Sequence, residues 1–528
     1  MMPTLASTWR KMQLINGKRD VGAHSSHSEV ISGVRLRALS STTLATRSRA
    51  SSVEVTTTGI SSTTDEQDRS TQWIEQRMRP RESSACTGLL QLKVFVGSWN
   101  MATADPFVDS TSYMSATASY VGDAAAGEKL EVLLPPGYDL YVLGTQEKVT
   151  KHLHTAVLAR LHAATEHLGR RFVTLRPLSQ NEKERRRSST SKRTRSHSTE
   201  CSSESSESDG HVERFRHNSI AVEMSTSGYA ARHGADTNQE DASSESTQEV
   251  RGRGDGALLS TKSTSIAVYC AHDLTDVVEI DAIATHKFSW TSGSKGGVAV
   301  TVSVAADDGD KQTLTFASCH LEANKPTLRR QQLATLSTKL GQALRGDDAK
   351  DLASSSDHVV WMGDFNYRIH TLDGETVLQH LGTGNHLEVH DQYDSMKDDL
   401  AVLPTMSTFA EPRKWPTFLP TYKKIPDRPT SVDMADPDWP SRVYRVLYKE
   451  PFYKGGQTKA RVPGWCDRIL YCSRGDGGLG GSRLSVEQVE GRDNYRSVND
   501  GLCESDHSPV FCTFDWTISN AANVCTWG

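Results

Sequence analysis

Eight short runs of β-branched and aromatic residues punctuate this chain: LKVFVGSWN, YDLYVLGTQE, SIAVYCAH, GGVAVTVSV, LTFASCHL, HVVWMGDFN, RILYCS and SPVFCTFDW. Their composition predicts strands, bounded by turn-forming residues. Several of them stop at a polar residue suited to metal or phosphate chemistry: Asn100, Glu147, His320, then Asp364 and Asn366. Two more are bordered in the same way at their starts, WCDRILY by Asp467 and SDHSPVFCTF by Asp506 and His507. Taken singly, each residue has a bland reading. Asn100 and Glu147 suit turns, His320 suits a core or surface histidine, and GDFN suits a tight turn in which Gly363 and Asn366 tolerate unusual backbone angles. Their recurrence at one kind of position points instead to a shared acidic, amide- and imidazole-rich site at one edge of a sheet sandwich. One amphipathic helix is also evident, opened by Pro326 with Leu328, Leu333, Leu336, Leu340 and Leu344 at helical spacing. The class is α plus β with a large sheet content, and no repeat of fixed period appears.

The strands occupy only part of the 528 residues, and 36% apolar content is low for a fully globular chain of that length. Residues 1–88 are polar and lack a sustained period, which predicts a disordered tail. Residues 179–258 carry NEKERRRSSTSKRTRSHSTE near their start and pass through ECSSESSESDG, a Ser-rich segment with basic and then acidic blocks. It buries too little apolar surface to offset chain entropy and is expected to be an unfolded insertion. The folded domain is therefore expected over 89–178 and 259–518, with a tail over 519–528. Ser188, Ser189 and Ser219 follow arginines, so a kinase or a phosphoserine-binding partner is expected at the insertion.

The net charge of −5 gives no whole-molecule field for nucleic acid. Nine cysteines without zinc spacing are read as reduced thiols, and a cytoplasmic monomer is expected. No apolar run approaches the roughly 20 residues of a bilayer span. The first 50 residues, rich in Ser, Thr and Arg, faintly resemble a transit peptide, but disordered tails share that composition. Thr526 and Trp527 are poor stand-ins for the aliphatic pair of a prenylation signal.

The blocks WMGDFNYRI, PTYK, PGWCDRILY and SDHSPV, in that order, resemble the signature of the inositol polyphosphate 5-phosphatases, within the DNase-I-like endonuclease/exonuclease/phosphatase superfamily. GSWNM, GTQE, GSKGGVAV and SCHL resemble its earlier blocks. The resemblance implies a two-sheet β-sandwich flanked by helices in four α/β/β/α layers, with the active site at one sandwich edge. It implies Mg²⁺-dependent removal of the 5-phosphate from phosphoinositide lipids or soluble inositol phosphates, with peripheral membrane contact. Glu147 is then expected to bind the metal, completed or supported by Asn100 and Asp506, since Mg²⁺ prefers hard oxygen ligands. Asp364 is expected to orient and deprotonate the attacking water, and Asn366, two positions on and so on the same side of the strand, to donate its amide to phosphate. His507, held by Asp467, and His320 are expected as further donors. Which of Asp364 and His507 takes the proton stays open. Tyr422, Lys423 and Lys459 are expected at a 4-phosphate, and Lys295 and Arg468 as further substrate contacts.

The chain departs from the family pattern in places. Ser294 replaces the amide of the usual GNKG, and Glu322 and Asn324 follow His320 where small residues are usual. The segment from Lys423 to Lys459 is longer than its family counterpart and interleaves Arg442, Arg445, Lys449 and Lys454 with Trp439, Tyr444 and Phe452. It is read equally as a membrane-facing surface and as a solvated loop. The competing readings are a nuclease, deadenylase or sphingomyelinase of the same superfamily, and an inactive phosphoinositide-binding scaffold.

Overall fold

The structure is a computed structural model that describes residues 89–108, 119–147, 151–178, 248–253, 261–288, 295–305, 311–413, 416–428, 435–450, 452, 455–474, 482–489 and 492–519. The expected tail 1–88, most of the expected insertion with Ser188, Ser189 and Ser219, and residues 520–528 lie outside the described residues.

All eight runs are strands, and they divide between two sheets. The first sheet holds β1 (Leu89–Asn100), β2 (Leu140–Gln146), β3 (Phe172–Thr174), β4 (Gln248–Arg253), β5 (Thr261–Ala271), β13 (Arg483–Val486), β16 (Tyr495–Ser497) and β17 (Val510–Ser519). Its order is β13-β17-β1-β2-β5-β3, with β16 also on β17 and β4 also on β5. The second holds β6 (Val278–Lys287), β7 (Gly296–Ala305), β8 (Lys311–His320), β9 (His358–Asp364) and β12 (Asp467–Ser473), in the order β12-β9-β8-β7-β6. Two small hairpins, β10 (Leu447–Lys449) with β11 (Thr458–Ala460) and β14 (Gln488–Val489) with β15 (Arg492–Asp493), stand apart from them.

The sheets pack face to face, β1 on β9, β2 on β8 and β5 on β7 and β8. Between them lie Val94, Val96, Val142, Val268, Val300, Phe316, Val360 and Met362, all buried. A Cβ on Gly144 of β2 would sit 2.8 Å from Ser318 Oγ and 3.2 Å from Met362 Sδ, so the missing side chain lets the sheets close at that point. Helices cover the outer faces. On the first sheet lie α1 (Asp123–Lys129) and α2 (Lys151–Thr165), whose Leu153, Ala156, Val157 and Leu161 are buried in the same cluster. On the second lies α3 (Pro326–Arg345), which buries Leu333, Leu336 and Leu340 against Ala299, Ala317 and Trp361 and leaves Leu328 partly exposed. The result is the expected four-layer α/β/β/α sandwich.

One expectation fails within the insertion. Residues 248–253 pair antiparallel with β5 over Thr261–Ile266, so the segment rejoins the sheet before residue 259. The exposed edge of β5 supplies unpaired backbone groups for it, a signal that does not depend on apolar content.

Strand direction places the site. β1 with β2 and β8 with β9 are parallel pairs, and all four finish at one end of the sandwich. Their antiparallel neighbours β17, β12, β7 and β5 begin at that end. A polar residue at the finish of one strand and at the start of the next in space therefore meet. His320 is registered against Asp364, and Asp364 against Asp467, in one row across the second sheet.

Candidate active site

Asn100 closes β1 and reaches across the sandwich, donating through Nδ2 to Asp364 Oδ2 at 2.9 Å, with His507 Nε2 3.5 Å from the same nitrogen. Asn100 Oδ1 accepts from the Ala102 amide at 2.9 Å. The amide nitrogen of Asn100 thus holds Asp364 in place. Asp364 Oδ1 accepts the Asn366 backbone N–H at 2.9 Å, so both oxygens of this buried carboxylate are oriented. Burial raises its pKa above the ordinary value against the pull of His507. The turn behind it depends on Gly363, whose φ of 142° favours glycine and whose absent Cβ would lie 2.2 Å from the Cys319 carbonyl oxygen.

His507 Nδ1 is 2.8 Å from Asp467 Oδ2, which also accepts from Thr421 Oγ1 at 2.7 Å. Burial works against charge on this imidazole, but Asp467, with Asp364 and Asp506, outweighs it and lifts the pKa to about 9. His507 is a charged donor at neutral pH. His320 behaves in the opposite way. Its Nε2 faces the Lys295 ammonium and lies 3.3 Å from Asp364 Oδ2, and burial, reinforced by Lys295 and Lys262, holds its pKa well below the ordinary value. At Nε2 the neutral ring accepts from Lys295.

Asn366 is at the site but not by strand alternation. β9 ends at Asp364, and Asn366 has a left-handed φ of 58°. Its Nδ2 donates to the Leu321 carbonyl at 3.0 Å and its Oδ1 accepts from Arg368 at 2.9 Å, which fixes the amide's direction. Lys423 pairs closely with Asp506, while the Tyr422 ring lies 4.6 Å from His507 with the Arg368 guanidinium 4.4 Å over it. Backbone bonds from Lys424 N–H to the Asp506 carbonyl and from Ser508 N–H to the Thr421 carbonyl clip the PTYK and SDHS segments together. Burial is opposed by His507 and Lys423, which hold the Asp506 carboxyl below its usual range. Glu147, one residue past β2, pairs through Oε2 with Lys262 at 2.7 Å and lies 3.9 Å from His320 Nε2 through Oε1.

One expected substrate contact points elsewhere. Arg468 is fully buried, with Nη1 donating to Asp394 at 2.7 Å and Nε to Glu411 at 2.7 Å, because alternation along β12 turns it to the face opposite Asp467. Lys459 is 44% exposed and its ammonium is held by Glu450 in its own hairpin, where it lies opposite Tyr448. Four residues that sequence reasoning passed over belong to the site: Arg368, Thr421, Lys262 and Ser505, whose Oγ donates to the Asn100 carbonyl at 2.6 Å. Arg368 lies two residues past Asn366, Thr421 precedes Tyr422, and Lys262 is the second residue of a strand that starts at this end. Membership in the recognised blocks WMGDFNYRI, PTYK and SDHSPV was the available signal for Arg368, Thr421 and Ser505.

Residues 259–455 match the family model Endonuclease/Exonuclease/phosphatase family 2. A phosphatidylinositol 3,4,5-trisphosphate 5-phosphatase 2 of Mus musculus is 26% identical over 227 residues, 43% of this chain and 15% of that protein. A type I inositol polyphosphate 5-phosphatase 13 of Arabidopsis thaliana is 23% identical over 286 residues, 48% of this chain and 23% of that protein. The chain thus spans less than a quarter of the length of either relative. The solved inositol polyphosphate 5-phosphatase domain of a synaptojanin, in complex with inositol (1,4)-bisphosphate and calcium, overlaps with a TM-score of 0.45 at 20% identity, over 86% of this chain and 92% of that one. Over residues 259–455 the chain is similar to the endonuclease/exonuclease/phosphatase superfamily. Within it, the curated relatives that the chain resembles are phosphoinositide and inositol polyphosphate 5-phosphatases.

Proposed function

We propose that the protein is a Mg²⁺-dependent phosphomonoesterase that removes the 5-phosphate of a 4,5-bisphosphorylated phosphoinositide or inositol phosphate. The observation that carries this reading is the gathering of two bonded pairs, Asp467–His507 and Asn100–Asp364, at one sandwich edge, with Lys423 and Arg368 beside them. The names of the relatives support the substrate class.

The residues suit the metal. Glu147, Asp364, Asp467 and Asp506 offer hard carboxylate oxygens, and Asp467 Oδ1 is buried with no hydrogen-bond partner. Glu147 and Asp506 are the ligands proposed, and a bound Mg²⁺ supplies Lewis-acid withdrawal of charge from the phosphoryl group and the leaving oxygen. Asp364, oriented by Asn100 and by the Asn366 N–H, takes the proton of the attacking water, a task that its raised pKa favours. His507, charged and held by Asp467, donates to a phosphoryl oxygen, as does the second amide proton of Asn366. Lys423 and Tyr422 meet the neighbouring 4-phosphate as a point charge and a hydroxyl. The substrate is met at a membrane surface when it is a lipid.

Phosphate release with Mg²⁺ over a panel of phosphoinositides and inositol phosphates tests the proposal, beside Asp364→Ala. Loss of the base should cost about 10² to 10⁴ in rate. Retention of more than about a tenth of wild-type turnover would remove Asp364 from this role. Release from isomers without a 5-phosphate, or cleavage of abasic DNA alone, would sink the substrate assignment. No release at all from folded protein would favour the binding scaffold.

A further inference from the structure

Lys262 is a cation at the site to which the proposed reaction gives no work. It is the second residue of β5, and alternation puts it on the face shared with Thr264 and Ile266, both buried between the sheets. The side chain is thereby led into the sandwich edge, where its Nζ meets Glu147 Oε2 at 2.7 Å. Glu147 is set for this contact by its left-handed backbone, φ 69°, directly after β2. Its other oxygen looks towards His320 Nε2 at 3.9 Å, and that nitrogen faces Lys295. Reading along the row, two ammonium groups from opposite sheets bracket Glu147 and His320. As an ion pair open to solvent at about a quarter of each side chain, Lys262–Glu147 adds little to stability. Its consequence lies in the charge that it places on the carboxylate.

We propose that Lys262 is an internal counter-cation for Glu147, competing with the divalent metal for that carboxylate and so setting the site's affinity for it. This rests on the reading of Glu147 as a metal ligand. A metal bound through Glu147 while Lys262 stays paired leaves a divalent cation and an ammonium a few ångströms apart. Their repulsion at about 4–5 Å is enough to weaken binding about tenfold or more even when well screened. Freeing Glu147 instead requires the ammonium to leave its partner, which costs affinity in the same direction. The charge of Lys262, and not its shape, is the determinant.

Full-length wild type, Lys262→Met, Lys262→Gln and Lys262→Arg would be titrated with Mg²⁺ by calorimetry, with the Mg²⁺-dependent rise in melting temperature as a second readout. Both neutral variants should bind Mg²⁺ about tenfold or more tightly than wild type and show the larger rise in melting temperature, while Lys262→Arg stays close to wild type. Unchanged or weaker binding by the neutral variants, with the fold intact by circular dichroism, overturns the proposal. So does a gain of the same size in Lys262→Arg, which would assign the effect to packing. Glu147→Gln separates the two layers of the argument: it should lose Mg²⁺ affinity, and if it binds as wild type does, the metal reading of Glu147 fails first.

Discussion

The imidazole of His507 is buried, tilted against the Tyr422 ring and tied through Nδ1 to Asp467, and the surrounding carboxylates give it a proton that an isolated histidine would have lost. Its folded-state pKa, about 9, lies above the ordinary value near 6.5. The stability contributed by this pair is therefore complete below about pH 6.5 and is lost as pH rises through about 9. A titration of the ring by NMR in the metal-free protein should find its midpoint near 9, and Asp467→Asn should bring it down by at least about one unit. A midpoint that stays put in the variant would mean that Asp364 and Asp506 carry the shift. Residue type and position in a block made His507 and Asp467 legible in the sequence. The opposite charge states of His507 and His320 were not, because they depend on whether a carboxylate or an ammonium lies across a gap that the chain crosses only when folded.

At the scale of the strand, β12 shows what periodicity does and does not reveal. Asp467 and Arg468 are adjacent in PGWCDRIL, and a pleated strand sends them to opposite faces. Asp467 goes to the site, and Arg468 goes to a buried cluster with Asp394, Glu411 and His390. Arg468→Met should destabilise the protein by roughly 3–5 kcal/mol, because it strands two buried carboxylates. Chemical denaturation measures this. At a temperature where the variant is folded, KM should change by less than about twofold if the arginine makes no substrate contact; a large rise in KM with stability intact would restore the substrate role. Strand polarity also explains why the sequence places polar residues at the ends of some runs and at the starts of others. The parallel pairs finish at the site, their antiparallel neighbours begin there, and Lys262 at the start of β5 obeys the same rule.

For the molecule as a whole, the long Ser- and Arg-rich segment enters and leaves along one edge. Thr174 of β3 is registered against Tyr269 and Gln248 of β4 against Ile266, on the same strand, which puts the two attachment points about 10 Å apart along β5. Replacing residues 181–245 by a linker of about six Gly and Ser residues should hold the melting temperature within about 3 °C and phosphate release within about threefold, since closing a short loop costs little. Loss of folded protein would show that the segment helps to hold the sheet. The sequence by itself determined the strands, the helix opened by Pro326 and the polar residues at their ends, because these follow from local propensity, periodicity and recognisable blocks. Tertiary structure alone decided the rest: which sheet each strand joined, that Asn100 holds Asp364 across the sandwich, that Arg468 faces away, and that Lys262 meets Glu147. The physical reason is that charge state, partner and direction are set by groups distant in sequence, and only the closing of the two sheets brings those groups within hydrogen-bond range.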